Sequence, residues 1–189
     1  PGMRLAPPDP AAMTPRQREV HDTIAAGPRG GVRGPLGIWL HRPELADRAQ
    51  ELGRYCRYDS SLPPRLSELA ILVTAAVWKA EYEWHAHRDL AAEAGVPEAA
   101  IEAIRTGAEP AFGDARMAAV YAFARALHLE RRVPEAVHDD AVAALGAEAV
   151  VDLTGLLGYY ALVAMTLNAF EVPLPEGVPR AFAPAGEGP

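Results

Sequence analysis

In the stretch Lys79-Ala80-Glu81-Tyr82-Glu83-Trp84-His85-Ala86-His87-Arg88 a carboxylate and an imidazole, Glu83 and His87, stand four residues apart. On a helix, positions 83, 86, 87, 90, 91 and 94 share one face, and the other four are Ala86, Leu90, Ala91 and Ala94. The pair is therefore set into a small, apolar stripe, while Glu81, His85, Arg88 and Ala92 fall on a face expected to meet water. Burying both groups costs several kcal/mol unless they pair or neutralise each other. An imidazole, whose ordinary pKa lies near 6.5, beside a carboxylate suits proton transfer. The same spacing also fits a structural pair, or a surface pair worth a few tenths of a kcal/mol.

A second carboxylate lies upstream. Arg65-Leu66-Ser67-Glu68-Leu69-Ala70-Ile71-Leu72-Val73 sets Glu68 in a run that is apolar almost all round, the pattern of a buried helix. If Glu68 met Glu83, mutual repulsion would raise one pKa and give a protonated acid beside an ionised partner. On one unbroken helix, however, the two would sit about 22 Å apart along the axis. A shared site requires a chain break between them or a second subunit.

A substrate anion also needs a cation or backbone donors. Arg33, in the glycine-rich loop Pro28-Arg29-Gly30-Gly31-Val32-Arg33-Gly34-Pro35, is the candidate, with Arg29 an equal alternative. The loop precedes a helix start at Pro35, where free N–H groups favour anions. Tyr159 and Tyr160 are placed either to hydrogen-bond a substrate oxygen or to fill an interface. A metal reading, with Glu83, His87, Glu68 and His85 as ligands, is incomplete because His85 and His87 diverge on a helix; no metal is assigned.

The elements that must position these groups read as helices. The 189 residues are 50% hydrophobic and 23% charged, enough apolar content for one globular core and against a disordered chain. Thr14-Pro15-Arg16-Gln17 reads as a capping box opening a helix that ends at Gly27. Pro43 begins another towards Tyr58. Residues 65–94 contain neither Gly nor Pro and pass for one long helix stopped by Gly95 and Pro97. Further helices are expected over 98–105, from Asp114 to Glu130, from Pro134 to Gly146, and from Ala147 to Phe170. With no alternating strand pattern, the fold class is all-α. Residues 1–13 read as a tag remnant and flexible N-terminus, 14–173 as a single domain, and 174–189 as a loosely held Pro/Gly-rich tail.

Charge and cysteine usage narrow the function. A formal net charge of -7 without Lys or Arg clusters argues against nucleic-acid and anionic-membrane partners. The lone Cys56 excludes an intramolecular disulfide and a CxxC centre, and a cytoplasmic setting is expected. Residues 153–170 are uncharged and long enough to span a membrane, but Gly155, Gly158, Tyr159, Tyr160, Thr166 and Asn168 favour a core or subunit-interface helix. Such a helix needs burial on more than one side, so at least a dimer is expected.

Three stretches resemble the carboxymuconolactone decarboxylase family, which includes the alkylhydroperoxidase-like proteins: Ser61 through Leu72, Glu81 through His87, and Gly158-Tyr159-Tyr160 with Met165 through Val172. The resemblance covers roughly residues 28–173 and is strongest for longer members with an N-terminal helical extension. It implies an all-helical alkylhydroperoxidase-like bundle that assembles into homo-oligomers, often trimers or hexamers. In the hydroperoxidase branch a Cys-x-x-Cys-x-x-x-His centre is served by an upstream glutamate. Aligned through His87, the cysteine positions are Ala80 and Glu83 and the glutamate is Glu68, so dithiol peroxidase chemistry is not expected. Glu81, Glu83, Trp84 and His87 fit the decarboxylase branch, which also implies a helix boundary near Lys79–Glu81. The resulting expectation is a cofactor-independent acid–base enzyme acting on a small carboxylated lactone or keto acid. Glu83, His87 and Glu68 are its catalytic candidates, and Arg33, Trp84, Tyr159, Tyr160 and Glu81 its substrate-binding candidates. The alternative is a non-catalytic helical oligomer with a structural Glu83/His87 pair.

Overall fold

The computed structural model describes residues 2–182, which form nine α-helices and no strands. They are α1 (Pro15–Ala26), α2 (Pro35–Trp39), α3 (Pro43–Arg54), α4 (Pro64–Trp78), α5 (Glu81–Glu93), α6 (Glu98–Thr106), α7 (Ala115–Glu130), α8 (Glu135–Leu145) and α9 (Ala147–Ala169). The all-α expectation holds. Local chemistry sets most of the ends. Thr14 and Gln17 close a reciprocal capping box at α1, and the Asp114 carboxylate accepts from the backbone N–H groups of Arg116 and Met117 at α7.

The all-round apolar α4 is the centre of the bundle. Residues Leu66 to Ala75 are buried without interruption, and α5, α7 and α9 pack around them. The long apolar α9 sits beside α4 with Leu153, Leu156, Leu157, Val163 and Leu167 inside the core. Among the described residues it is the one helix long and apolar enough to cross a membrane, and its inward face is core.

The uninterrupted helix read over 65–94 is divided in two. Lys79 adopts left-handed backbone (φ 49°), and the N–H groups of Lys79 and Ala80 turn back to the carbonyls of Ala76 and Ala75 at 3.2 and 2.9 Å. This is a Schellman ending with lysine where glycine is usual. It folds α5 back along α4, the geometry the family resemblance implied and propensity did not.

The terminal segments are tied down more than expected. The Arg4 N–H bonds the Phe170 carbonyl at 2.9 Å, its guanidinium reaches Glu171 at 3.0 Å, and His41 Nε2 meets the Ala6 carbonyl at 2.7 Å. At the other end Glu81 accepts the N–H groups of Ala181 and Phe182 at 2.7 and 3.1 Å, and Arg105 donates to the Ala181 carbonyl at 2.7 Å. The rest of the expected tail, 183–189, lies outside the described residues.

Candidate active site

The fold-back at Lys79 brings Glu68 on α4 opposite His87 on α5. His87 Nδ1 and Glu68 Oε2 are 2.7 Å apart, and both residues are 6% exposed. One turn before His87, Glu83 is 2% exposed, and neither of its carboxyl oxygens has a hydrogen-bond partner. Burial pushes its pKa well above the usual carboxylate value. Its place in the first turn of α5 would favour the ionised form. Desolvation outweighs that effect, so burial favours the protonated, neutral form of Glu83.

Glu83 and His87 face a cavity of about 480 Å³ lined by the glycine-rich loop, the start of α2, the short turn Tyr55–Asp59 that follows α3, α5 and α9. Tyr159 and Tyr160 line its α9 wall and are both buried. The Tyr160 ring stands edge-on to the His87 ring at 5.3 Å and to Tyr159 at 5.0 Å. Burial holds the Tyr160 phenol well above its ordinary pKa, so it acts only as a neutral hydroxyl. Tyr159 is braced by Trp39 at 6.2 Å, whose indole N–H bonds Thr166 at 2.9 Å.

Part of the lining is cationic, with Arg29, Arg33 and Arg57 all on the cavity. Arg33 is where the sequence placed a cation, and Arg29, its equal alternative, lies there too. Arg57 was not singled out. It follows α3 in a one-turn π-helix, Tyr55–Asp59, whose wider winding turns its side chain inward. The signal available in the sequence was the dense run Arg54-Tyr55-Cys56-Arg57-Tyr58. The glycine-rich loop contributes shape as well: at Gly34 (φ 57°) a Cβ would come within 2.8 Å of the Tyr82 ring, another cavity residue.

Two of the substrate-binding candidates lie elsewhere. The Glu81 carboxylate is engaged by the backbone of Ala181 and Phe182, and Trp84 packs edge-on to Phe182 at 5.4 Å; neither lines the cavity. The apolar stripe of α5 is correspondingly rotated: Trp84 is buried and Ala86 is exposed, because the α5 contact with the C-terminal segment claims the 84 position. Exposed His85 sits at the cavity wall. No three His, Cys, Asp or Glu side chains among the described residues are grouped to hold a metal ion. Cys56 is buried outside the cavity, and burial raises its thiol pKa to about 11.

This helical architecture and its paired acid–base groups meet the comparisons with known proteins. Residues 43–126 match the profile of the carboxymuconolactone decarboxylase family. No curated protein sequence is significantly similar to it. Among solved structures it is similar to the apo debrominase Bmp8, with a TM-score of 0.72 and 14% identity over 90% of this chain and 91% of that one. A cysteine-to-alanine variant of Bmp8 in complex with 2,3,4-tribromopyrrole aligns with a TM-score of 0.70, 15% identity and the same coverage. ATU0492 from Agrobacterium tumefaciens, a protein of unknown function assigned provisionally to the antioxidant defence protein AhpD, aligns with a TM-score of 0.64 and 16% identity. That match covers 76% of this chain and 100% of the other. At these identities the structural likeness bears on the fold alone.

Proposed function

We propose that the chain is a cofactor-independent acid–base enzyme that decarboxylates, or carries out a related proton-transfer step on, a small carboxylated lactone or keto acid. The observation that carries this reading is the contrast within one cavity: an unpartnered buried carboxyl at Glu83, one helical turn from the hydrogen-bonded Glu68–His87 pair. Environments that push titratable groups apart separate acid from base.

In such a reaction the bond to the departing carboxylate breaks, its electron pair enters the conjugated carbonyl as an enolate, and CO₂ leaves. The arginine wall holds the anionic substrate, and neutral Glu83 donates to the developing oxyanion. His87, oriented by Glu68 through Nδ1, moves the proton that returns to carbon. An isomerisation would use the same groups without loss of CO₂. The enzyme acts as a homo-oligomer, a reading supported by the exposed apolar face of α9, where Val151 is 72% and Met165 48% exposed.

The test is turnover of unsaturated lactone acids and β-keto acids in D₂O without added metal or thiol. CO₂ release and deuterium at carbon are followed by NMR. Glu83→Gln and His87→Gln should each lower kcat by about 10²-fold or more with the fold retained.

A further inference from the structure

Gly53 lies in the last turn of α3, has no positive φ that would require glycine, and is buried. Its reason is on the other side of the missing side chain. A Cβ there would fall 2.6 Å from Nη2 of Arg29 and closer still to the Cζ and hydroxyl oxygen of Tyr159. Two groups from distant parts of the chain, one from the glycine-rich loop and one from α9, thus converge in the slot left open over α3. Arg29 is tethered there by its Nη1 donating to the Gln50 carbonyl at 3.3 Å. Tyr159 has no room to retreat, wedged between Trp39 and Tyr160. Both residues line the cavity that holds Glu83 and His87.

We infer that Gly53 is a specificity-determining positioning residue, whose missing side chain lets the Arg29 guanidinium and Tyr159 hydroxyl form one carboxylate-binding subsite. A planar guanidinium beside a phenol presents N–H and O–H donors to the two oxygens of a carboxylate, a geometry that a carboxamide does not match in charge or donor pattern. The subsite takes the carboxylate that the substrate keeps, while Arg33 and Arg57 stand along the rest of the cationic wall. This assignment rests on the reading of the cavity as the substrate site.

The experiment measures equilibrium binding of succinate and of its monoamide, succinamate, by calorimetry to wild type, Gly53→Ala, Arg29→Gln and Tyr159→Phe. The expected result is that wild type prefers succinate at least tenfold, and that Gly53→Ala and Arg29→Gln each bring this ratio close to one. The Gly53→Ala/Arg29→Gln double variant is expected to be no worse than either single one, because both remove the same subsite. Loss of packing alone would weaken both probes equally and leave the ratio unchanged. A wild-type ratio near one, or a Gly53→Ala ratio equal to wild type, overturns the assignment. If Gly53→Ala fails to fold, Arg29→Gln and Tyr159→Phe decide it by the same ratio. A preserved ratio pattern with no turnover of any lactone or keto acid would remove the proposed function and leave the subsite standing. Wild-type turnover with an unchanged Gly53→Ala ratio would do the reverse.

Discussion

Glu83 is where chemistry and stability pull against each other. A buried carboxyl with both oxygens unpartnered costs least when protonated, the form that burial favours at Glu83. Its folded pKa lies above its unfolded value, so between the two the native state binds more protons. Its contribution to stability is complete below the ordinary carboxylate pKa and is lost as pH rises towards the folded value. Replacing it with glutamine, a neutral shape-mimic of the protonated acid, should therefore leave stability near pH 4 almost unchanged. Above that, the variant gains on wild type by about 1.4 kcal/mol per pH unit until the folded pKa is reached. Thermal unfolding across pH checks this; parallel wild-type and variant curves would mean that folding does not raise the Glu83 pKa. Glu68 behaves differently. Glu68→Gln keeps an acceptor for His87 but removes the charge, and should cut turnover about 10- to 100-fold in kinetic assays that also monitor the fold.

The elements matter through one turn above all. Had α4 run on through Lys79, Glu68 and His87 would lie on one rod and never meet; the Schellman ending makes the site. Lysine in the left-handed region costs about 1 kcal/mol relative to glycine. Lys79→Gly should raise stability by that amount in denaturant unfolding while leaving turnover unchanged. This position also marks the limit of what the sequence discloses. The ends of α1, α7, α8 and α9 were legible because Thr14, Asp114, Pro134 and Gly146 carry their signals locally. The break at Lys79 carries no glycine or proline, since packing of α5 on α4 imposes it. For the same reason Glu83, His87 and Glu68 could be picked out by type and spacing, while their meeting could not be derived from propensity. Arg57 was hidden because a π-turn moves its side chain off the face that regular helical periodicity assigns. Glu81 and Trp84 matched a motif, yet the C-terminal segment, distant in sequence, occupies them.

At the scale of the molecule, α9 does two jobs on opposite faces. Its inner face supplies the core together with Tyr159 and Tyr160. Its outer face exposes Val151 and Met165 beside Gly155 and Gly158, with open space above both glycines. Small residues on an exposed apolar helix permit close approach of a second copy, consistent with the homo-oligomer proposed above. Val151→Arg should shift the light-scattering mass to that of a 189-residue monomer; a wild-type chain already monomeric would remove this surface as an interface. The same molecule-wide view explains the cavity, whose walls come from the glycine-rich loop, the π-turn after α3, α5 and α9 at once. The most direct test of the account is the D₂O turnover experiment with wild type and Glu83→Gln side by side. Metal-free wild-type protein should release CO₂ and place deuterium on carbon, and the folded variant should lose about 10²-fold or more in rate. A folded Glu83→Gln protein that turns substrate over at the wild-type rate would contradict it.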